Sequence, residues 1–286
     1  MNRAIDVWAQ VMTERMARQP WLETLLRWTG RKDELVVPTP ADAVRAMDAA
    51  GVSMALLSAW YSPLGDLISN QDVARQIDAA PTRFRGLASA DLREPMNAIR
   101  ELRHCLADRR FVGVRMVPWL WDLPPNDRRY YPIYVACIDA GVPFCTQIGH
   151  TGPLRRSETG RLIPYLEDVL LDFPELTVVA GHVGFPWLDE LLTLTVKFPN
   201  FFVDTSAYVL NRLPAQFVQW MKGPGAKRMM FGTNWPMLTP ERCLAGLDSL
   251  GLTDEQAQDF LHANARRAFR RLGDVASSLS DLTPKK

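Results

Sequence analysis

The chain has 286 residues, 47% of them hydrophobic, and a formal net charge of +1. This balance provides no broad basic field, which argues against nucleic acid as a partner. No apolar run reaches the roughly 20 residues of a membrane span, so we expect no membrane contact. The four cysteines contain no Cys-x-x-Cys pair, a spacing that favours reduced thiols and a cytoplasmic location.

Short apolar runs alternate with amphipathic segments along the chain, a rhythm typical of repeated βα units. Eight runs predict strands, at residues 4–9, 54–59, 86–90, 112–117, 143–148, 177–180, 201–204 and 228–232. Amphipathic segments predict helices between them, at residues 40–50, 98–107, 131–140, 162–172, 187–197 and 241–250. Thr253 and Gln256 have the spacing of a capping box, which predicts a last helix to about residue 272.

Eight such units predict one (β/α)8 barrel, a TIM-like α/β fold, over residues 1–272, with a doubly wound open sheet as the alternative. Residues 273–286 are rich in serine and charge, which predicts a disordered tail. In a barrel of this kind the chemistry lies at the carboxyl ends of the strands. The residues that leave each strand are therefore the candidate site.

Segments at the predicted strand ends carry a family resemblance. Residues 181–187 read GHVGFPW after the sixth strand, and residues 231–237 read FGTNWPM after the eighth. Together with KFPN at 197–200, DTS at 204–206 and NARR at 264–267, they resemble the amidohydrolase-related family that includes aminocarboxymuconate-semialdehyde decarboxylase. The resemblance implies a barrel enzyme, and the family contains decarboxylases and lactonases as well as hydrolases.

The resemblance also implies where a metal would bind, and most of those positions differ here. Members that use a metal hold it with a His-x-His pair in the first strand, histidines after the fifth and sixth strands, and an aspartate after the eighth. The corresponding positions are Trp8 and Gln10, Gln147 or His150, His182, and Asn234. Because zinc prefers imidazole, thiolate or carboxylate ligands, we expect no metal at the usual place. The alternative is a rearranged zinc or manganese site formed by His150, His182 and Asp204.

Residues 5–10, at the first predicted strand and its end, read IDVWAQ, and side chains along a strand alternate between its two faces. Asp6, Trp8 and Gln10 are therefore predicted to share one face. If that face points into the barrel, the Trp8 indole takes the volume in which an ion and its water would sit.

Two of the four histidines, His150 and His182, follow predicted strands. We predict that one of them activates water, held in the useful tautomer by Asp204 at the end of the seventh strand. A positioned base contributes only about 10²- to 10⁴-fold, whereas zinc lowers the pKa of water from about 15.7 to about 7. Without a metal, the enzyme therefore needs a substrate that is already reactive. Activated acyl, lactone, thioester and β-keto compounds meet this requirement.

The remaining candidates are predicted to bind substrate: Trp8, Gln10, Arg115, Gln147, Asn234 and Trp119. Gln10 and Asn234 are neutral donors that can stabilise an oxyanion. Arg115 is a charge inside an apolar strand and needs an anionic partner, either a substrate carboxylate or an acid such as Asp6.

These residues predict a metal-independent hydrolase of a small aromatic or carboxylated substrate. Two alternatives stay open. One is a metal-dependent decarboxylase or C–C bond hydrolase of an aromatic acid, and the other is a non-catalytic binding or partner subunit. A homodimer is predicted by analogy with family members.

Overall fold

Ten strands lie in the residues that this computed structural model describes, 4–30 and 37–272. They are β1 (Ala4–Ala9), β2 (Val52–Ser58), β3 (Trp60–Ser62), β4 (Gly65–Ile68), β5 (Phe84–Ala88), β6 (Phe111–Met116), β7 (Phe144–Gln147), β8 (Val178–Gly181), β9 (Phe201–Asp204) and β10 (Met229–Met230). Eight of them form one parallel sheet in the order β1-β2-β5-β6-β7-β8-β9-β10, and β3 with β4 forms an antiparallel hairpin. Each predicted strand has its counterpart in the parallel sheet.

The sheet closes on itself through the residues that follow β10. The Val7 amide donates to the Phe231 carbonyl at 3.0 Å, and the Asn234 amide donates to the Trp8 carbonyl at 2.8 Å. A parallel bridge between Ala9 and Trp235 extends this seam. The predicted (β/α)8 barrel is confirmed, and the alternative of an open sheet is excluded.

Thirteen α-helical segments in the described residues surround the sheet and its loops. They are α1 (Glu14–Ala17), α2 (Leu22–Thr29), α3 (Pro40–Ala49), α4 (Asn70–Ala79), α5 (Pro95–Ala107), α6 (Pro118–Trp121), α7 (Tyr131–Ala140), α8 (Tyr165–Asp172), α9 (Leu188–Lys197), α10 (Ala215–Lys222), α11 (Pro240–Leu244), α12 (Asp254–Gln258) and α13 (Asn264–Ala268). Three begin with a capping box, α3 at Thr39, α4 at Ser69 and α12 at Thr253. None of the described helices has both the length and the hydrophobicity needed to span a bilayer.

The helix predicted after Thr253 is present as α12 and α13, joined by a π-helical stretch at Asp259–Ala263. It ends at residue 268 rather than near 272. Ala265, Ala268 and Phe269 belong to one buried apolar cluster with Ile5 and Val179 from the barrel strands. This packing fills the amino-terminal end of the barrel and leaves the carboxyl end for polar side chains. The predicted tail, residues 273–286, lies outside the described residues.

The connections after β1 and β2 contain structure that the apolar pattern did not predict. Helices α1 and α2 lie in the first of these connections, and the β3–β4 hairpin follows β2 directly. Thr13 caps α1 by accepting a hydrogen bond from the Met16 amide, and it also donates to the Leu67 carbonyl of β4 at 2.5 Å. The hairpin thus supports the segment that reaches over the carboxyl end of the barrel.

Candidate active site

The end of β1 departs from regular strand geometry. Its register with β2 shifts between Asp6 and Ala9, so simple alternation of faces does not hold there. Of the three residues that alternation places on one face, Trp8 and Gln10 line a cavity and Asp6 does not. The Asp6 carboxylate instead accepts hydrogen bonds from the amide and hydroxyl of Thr233, at 2.9 and 2.6 Å, across the barrel seam.

A cavity of about 440 Å³ opens at the carboxyl ends of the strands, a volume typical of small-molecule sites. Tryptophans form part of its walls: Trp21 meets Trp119 edge to face at 5.1 Å and stacks on Trp60 at 6.4 Å. The lining includes seven residues proposed from the sequence, Trp8, Gln10, Trp119, Gln147, His150, His182 and Asn234. It also includes residues that the sequence analysis missed, among them Trp60, Tyr208, Arg212, Met237 and Arg242.

The Trp8 indole is fully buried and forms part of the cavity floor. It lies against β8 at Gly181, where an added Cβ would clash with the six-membered ring of the indole. The Trp8 ring therefore fits here because residue 181 is glycine. The His182 imidazole lies 4.6 Å from the indole, and the Arg115 guanidinium carbon lies 3.7 Å from its centroid, a cation–π geometry.

Carboxamide side chains provide further polar groups of the lining. Gln10 Nε2 donates to Asn234 Oδ1 at 3.1 Å, and Gln147 Nε2 donates to the His150 carbonyl at 3.1 Å. Gln10 Oε1 is buried and has no hydrogen-bond partner among the described residues. Because an unpaired buried acceptor is costly, this oxygen is available to a ligand donor.

His182 is held by both its backbone and its ring. Its φ of 80° lies in the left-handed region, and the next residue, Val183, also has a positive φ of 61°. The ring Nδ1 lies 2.7 Å from Ser206 Oγ, not against the Asp204 carboxylate that the sequence analysis expected as its partner. Burial lowers the pKa of His182 to about 3, with further lowering by the charges of Arg115 and His150. The imidazole is therefore uncharged at neutral pH.

His150 occupies another part of the lining. Its backbone amide donates to the Phe185 carbonyl at 2.7 Å. Its ring lies 5.5 Å from Trp28 of α2 and 6.0 Å from the Phe185 ring. Among the described residues the His150 ring makes aromatic contacts, without the oriented hydrogen bond that His182 has.

Arg115 lies in a fully buried polar group with Asp204 and Asp6. Its Nη2 donates to the Val7 carbonyl at 2.7 Å, while Nε and Nη1 have no hydrogen-bond partner among the described residues. Desolvation lowers the pKa of the guanidinium, and the charges of Asp204 and Asp6 oppose that effect. Arg115 and Asp204 are not among the cavity-lining residues, and the predicted contact of Arg115 with a substrate carboxylate stays a prediction.

Asp204 and Asp6 both titrate far from their usual range. Burial raises the pKa of Asp204 to about 6, against hydrogen bonds from the side chain and backbone of Ser206 and the charge of Arg115. Burial likewise raises the pKa of Asp6 to about 7, against hydrogen bonds from Thr233 and Trp8. Near neutral pH this polar group therefore holds protons that an unfolded chain would release.

We expect Asp6→Asn to change how stability depends on pH. Folded Asp6 keeps its proton between pH 4 and 7 while unfolded Asp6 loses it, so its contribution to the free energy of unfolding falls as pH rises through that window. The substituted carboxamide does not titrate, so wild type should lose roughly 2 kcal/mol relative to the variant between pH 5.5 and pH 8. Urea unfolding at the two pH values measures this difference, and a constant difference would contradict the raised pKa.

A (β/α)8 barrel with its polar groups at the strand carboxyl ends has the architecture of a barrel enzyme. A family model described as amidohydrolase matches residues 5–271, so this chain belongs to the amidohydrolase family. The membership indicated by the strand-end motifs is thus confirmed.

Individual relatives are distant but cover most of the chain. Gamma-resorcylate decarboxylase from Polaromonas sp. (strain JS666 / ATCC BAA-500) is 22% identical over 288 residues, covering 79% of this chain and 86% of the relative. An uncharacterized TIM-barrel protein from Bordetella bronchiseptica has a TM-score of 0.79 and 26% identity, covering 94% of this chain and 99% of that one. A dihydroxybenzoic acid decarboxylase from Polaromonas sp. JS666, with bound manganese and the inhibitor 2-nitroresorcinol, has a TM-score of 0.63 and 20% identity, covering 94% and 97%.

The residues of this cavity do not match what a tightly bound divalent metal requires. In the described part of the chain, no three His, Cys, Asp or Glu side chains lie together as a metal-binding group. His150, His182 and Asp204 therefore do not form the rearranged site that the sequence analysis held open. The side chains there include the neutral carboxamides of Gln10 and Asn234, which are poor ligands for a divalent cation. The guanidinium of Arg115 packs against the Trp8 indole, and its positive charge repels a cation.

Proposed function

We propose that this chain is an enzyme that removes the carboxyl group of a small aromatic acid. The observation that carries the proposal is the cavity, in which tryptophan walls surround an imidazole and several carboxamides. Such walls pack on a planar ring, and the few polar groups orient it. The Polaromonas relative is named a decarboxylase of gamma-resorcylate, which favours loss of a carboxyl group over the hydrolysis predicted from sequence alone.

The side chains that line the cavity are suited to a substrate whose carboxylate group leaves as CO₂. Arg212 and Arg242 belong to the lining and give it positive charge, which attracts an acid. Trp21, Trp60 and Trp119 provide apolar surroundings near the bound ring. Because the negative charge spreads as CO₂ leaves, apolar surroundings penalise the carboxylate more than the transition state.

The reaction also needs a proton at the ring carbon that loses the carboxyl group. His182 Nδ1 is engaged by Ser206, so Nε2 is the nitrogen that can exchange a proton with a ligand. A hydroxyl beside the carboxyl group can lend its proton to Nε2, and the ring carbon can then take it. Burial lowers the pKa of His182 to about 3, so the imidazole is a weak base that holds the proton only briefly before the ring carbon takes it.

The test is release of CO₂ from gamma-resorcylate, with benzoate, which lacks the hydroxyl groups, as the control substrate. The chain is assayed after chelator treatment and again with added Mn²⁺. We expect release from gamma-resorcylate at equal rates in the two arms, because the donor set of the described residues does not suit an ion. Turnover that requires Mn²⁺ would instead support the metal-dependent decarboxylase. No turnover in either arm would contradict the proposal.

Hydrolysis of an activated ester, lactone or thioester is the second candidate. The imidazole of His182, which lines the cavity and is oriented by Ser206, favours it, since a positioned imidazole is the commonest general base in enzymes. Phenyl acetate tests this candidate beside gamma-resorcylate. Hydrolysis of the ester with gamma-resorcylate left intact would assign a hydrolase, and binding of gamma-resorcylate without turnover of either would fit the non-catalytic alternative. The homodimer and the cytoplasmic location stay predictions.

A further inference from the structure

Three tryptophans of the cavity lining form one cluster on one side of the barrel mouth. Trp60 lies in β3, directly after β2, and Trp119 lies in α6, directly after β6. Trp21, in the long connection after β1, contacts both, with ring centroids 6.4 Å from Trp60 and 5.1 Å from Trp119. These three indoles are called the tryptophan cluster below.

Polar groups of the cavity lie on the other side of the mouth. His182 directly follows β8, Arg212 lies in the connection after β9, and Asn234 follows β10. In the closed eight-stranded order, β2 is opposite β8 and β6 is opposite β10. The cavity therefore lies between the tryptophan cluster on one side and His182, Arg212 and Asn234 on the other.

The cavity is larger than one aromatic ring requires. Its volume is about 440 Å³. A cavity of about 150 Å³ is enough to hold benzene. A carboxylated ring held beside His182 therefore fills only part of the space. The remaining space borders the tryptophan cluster, and the apolar side chains of Leu22 and Val117 also line the cavity.

We infer that the tryptophan cluster is a subsite for a second aromatic ring carried by the substrate. Aromatic rings pair edge to face or offset-stacked at centroid distances of about 4.5–7 Å, as Trp21 does with Trp60 and Trp119. A substituent para to a carboxyl group points away from it and so extends across the mouth from the side of His182. The substrate class is a hydroxylated aromatic acid with an aryl group opposite its carboxyl group. The carboxyl group on the first ring rests on the proposed function, whereas the subsite rests on the cavity alone.

The test compares gamma-resorcylate, which is 2,6-dihydroxybenzoate, with its 4-phenyl derivative by calorimetric titration of the whole chain. We expect the phenyl derivative to bind roughly 10- to 100-fold more tightly, because its added ring leaves water for apolar surroundings. The 4-(4-carboxyphenyl) derivative has a similar extension and should lose most of this gain, since its charge would be desolvated against the indoles. A phenyl derivative that binds no more tightly than gamma-resorcylate would overturn the inference without any variant.

Two substitutions locate the second ring. Trp21 is half-buried, whereas Trp60 and Trp119 are buried in the core, so Trp21→Ala is the variant that disturbs the fold least. It should reduce the ratio of the two dissociation constants to about threefold or less. Trp28→Ala is the matched control, because Trp28 also lines the cavity but contacts His150 at 5.5 Å instead of the tryptophan cluster. This variant should keep the wild-type ratio, and loss of the ratio in Trp28→Ala with its retention in Trp21→Ala would overturn the assignment.

The same compounds separate the subsite from the proposed function. Release of CO₂ from gamma-resorcylate without tighter binding of the phenyl derivative would reject the subsite and support the proposed function. Tighter binding of the phenyl derivative, with no CO₂ released from either compound, would support the subsite and reject the proposed function.

Discussion

Replacing His182 by Asn should lower turnover of gamma-resorcylate by about 10²- to 10⁴-fold, the usual contribution of a positioned proton-transfer group. The imidazole lines the cavity and is oriented by Ser206, and its pKa of about 3 keeps it uncharged at neutral pH. Asn is the suitable replacement because it tolerates the left-handed φ of 80° at this position. Steady-state rates of CO₂ release, together with thermal unfolding to confirm an intact fold, measure the effect.

His150→Asn is the matched control for that experiment. The sequence analysis gave the two histidines the same role, but the geometry separates them. The His150 ring packs 5.5 Å from Trp28 and 6.0 Å from Phe185, so its loss should raise KM more than it lowers kcat. If His150→Asn lost kcat while His182→Asn kept it, the roles assigned here would have to be exchanged.

The barrel could be predicted because its signal is local. Each strand is a short apolar run that ends at a glycine, proline or polar residue, and this pattern does not depend on the length or conformation of the loops. Because barrel strands deliver their last side chains to one end, Gln147, His182 and Asn234 could be assigned to a common cavity from the sequence alone. The bulge between Asp6 and Ala9 could not be foreseen, because alternation along the sequence carries no sign of a register shift.

The partner of the His182 ring could not be predicted for a different reason. A carboxylate is the usual group that orients an imidazole, so Asp204 was the natural choice. The spacing of Asp204 and Ser206 did contain a signal, since an aspartate often accepts from the amide two residues on, as it does here at 2.9 Å. That local turn places the serine hydroxyl beside the carboxyl group, but its distance to His182 depends on how β8 and β9 end.

The partner of Arg115 was left open between a substrate carboxylate and an acid of the protein. The choice depends on which face of Trp8 meets the cavity, and sequence carries no information about that. In the structure Arg115 packs on the fully buried indole and lies in the same buried polar group as Asp204 and Asp6. Arginine often binds substrate in enzymes, but the contacts of Arg115 stabilise the barrel interior.

Replacing Arg115 by Met should lower the free energy of unfolding by about 1 to 3 kcal/mol, because it leaves the buried Val7 carbonyl without its donor and Asp204 without its nearby cation. Met fills much of the volume of the arginine stem, so the loss reports mainly on charge. The variant lacks the cation–π contact with Trp8 and the hydrogen bond to the Val7 carbonyl, and it leaves Asp204 without its nearby cation. Urea unfolding at pH 8 measures the loss. Arg161→Met, which breaks an exposed ion pair with Glu190, is the control and should cost much less.

Asp204→Asn tests whether charge is the cause. In the Arg115→Met background it removes the uncompensated carboxylate, so the double variant should recover part of the lost stability, with a coupling energy of about 0.5 to 3 kcal/mol. Lowering the pH should also reduce the stability lost in Arg115→Met. The charge of Arg115 lowers the pKa of Asp204, so without Arg115 the carboxyl group stays protonated to higher pH, and the penalty of Arg115→Met should shrink between pH 8 and pH 5. A penalty that is the same at both pH values, with no recovery in the double variant, would show that Arg115 stabilises the barrel by packing alone.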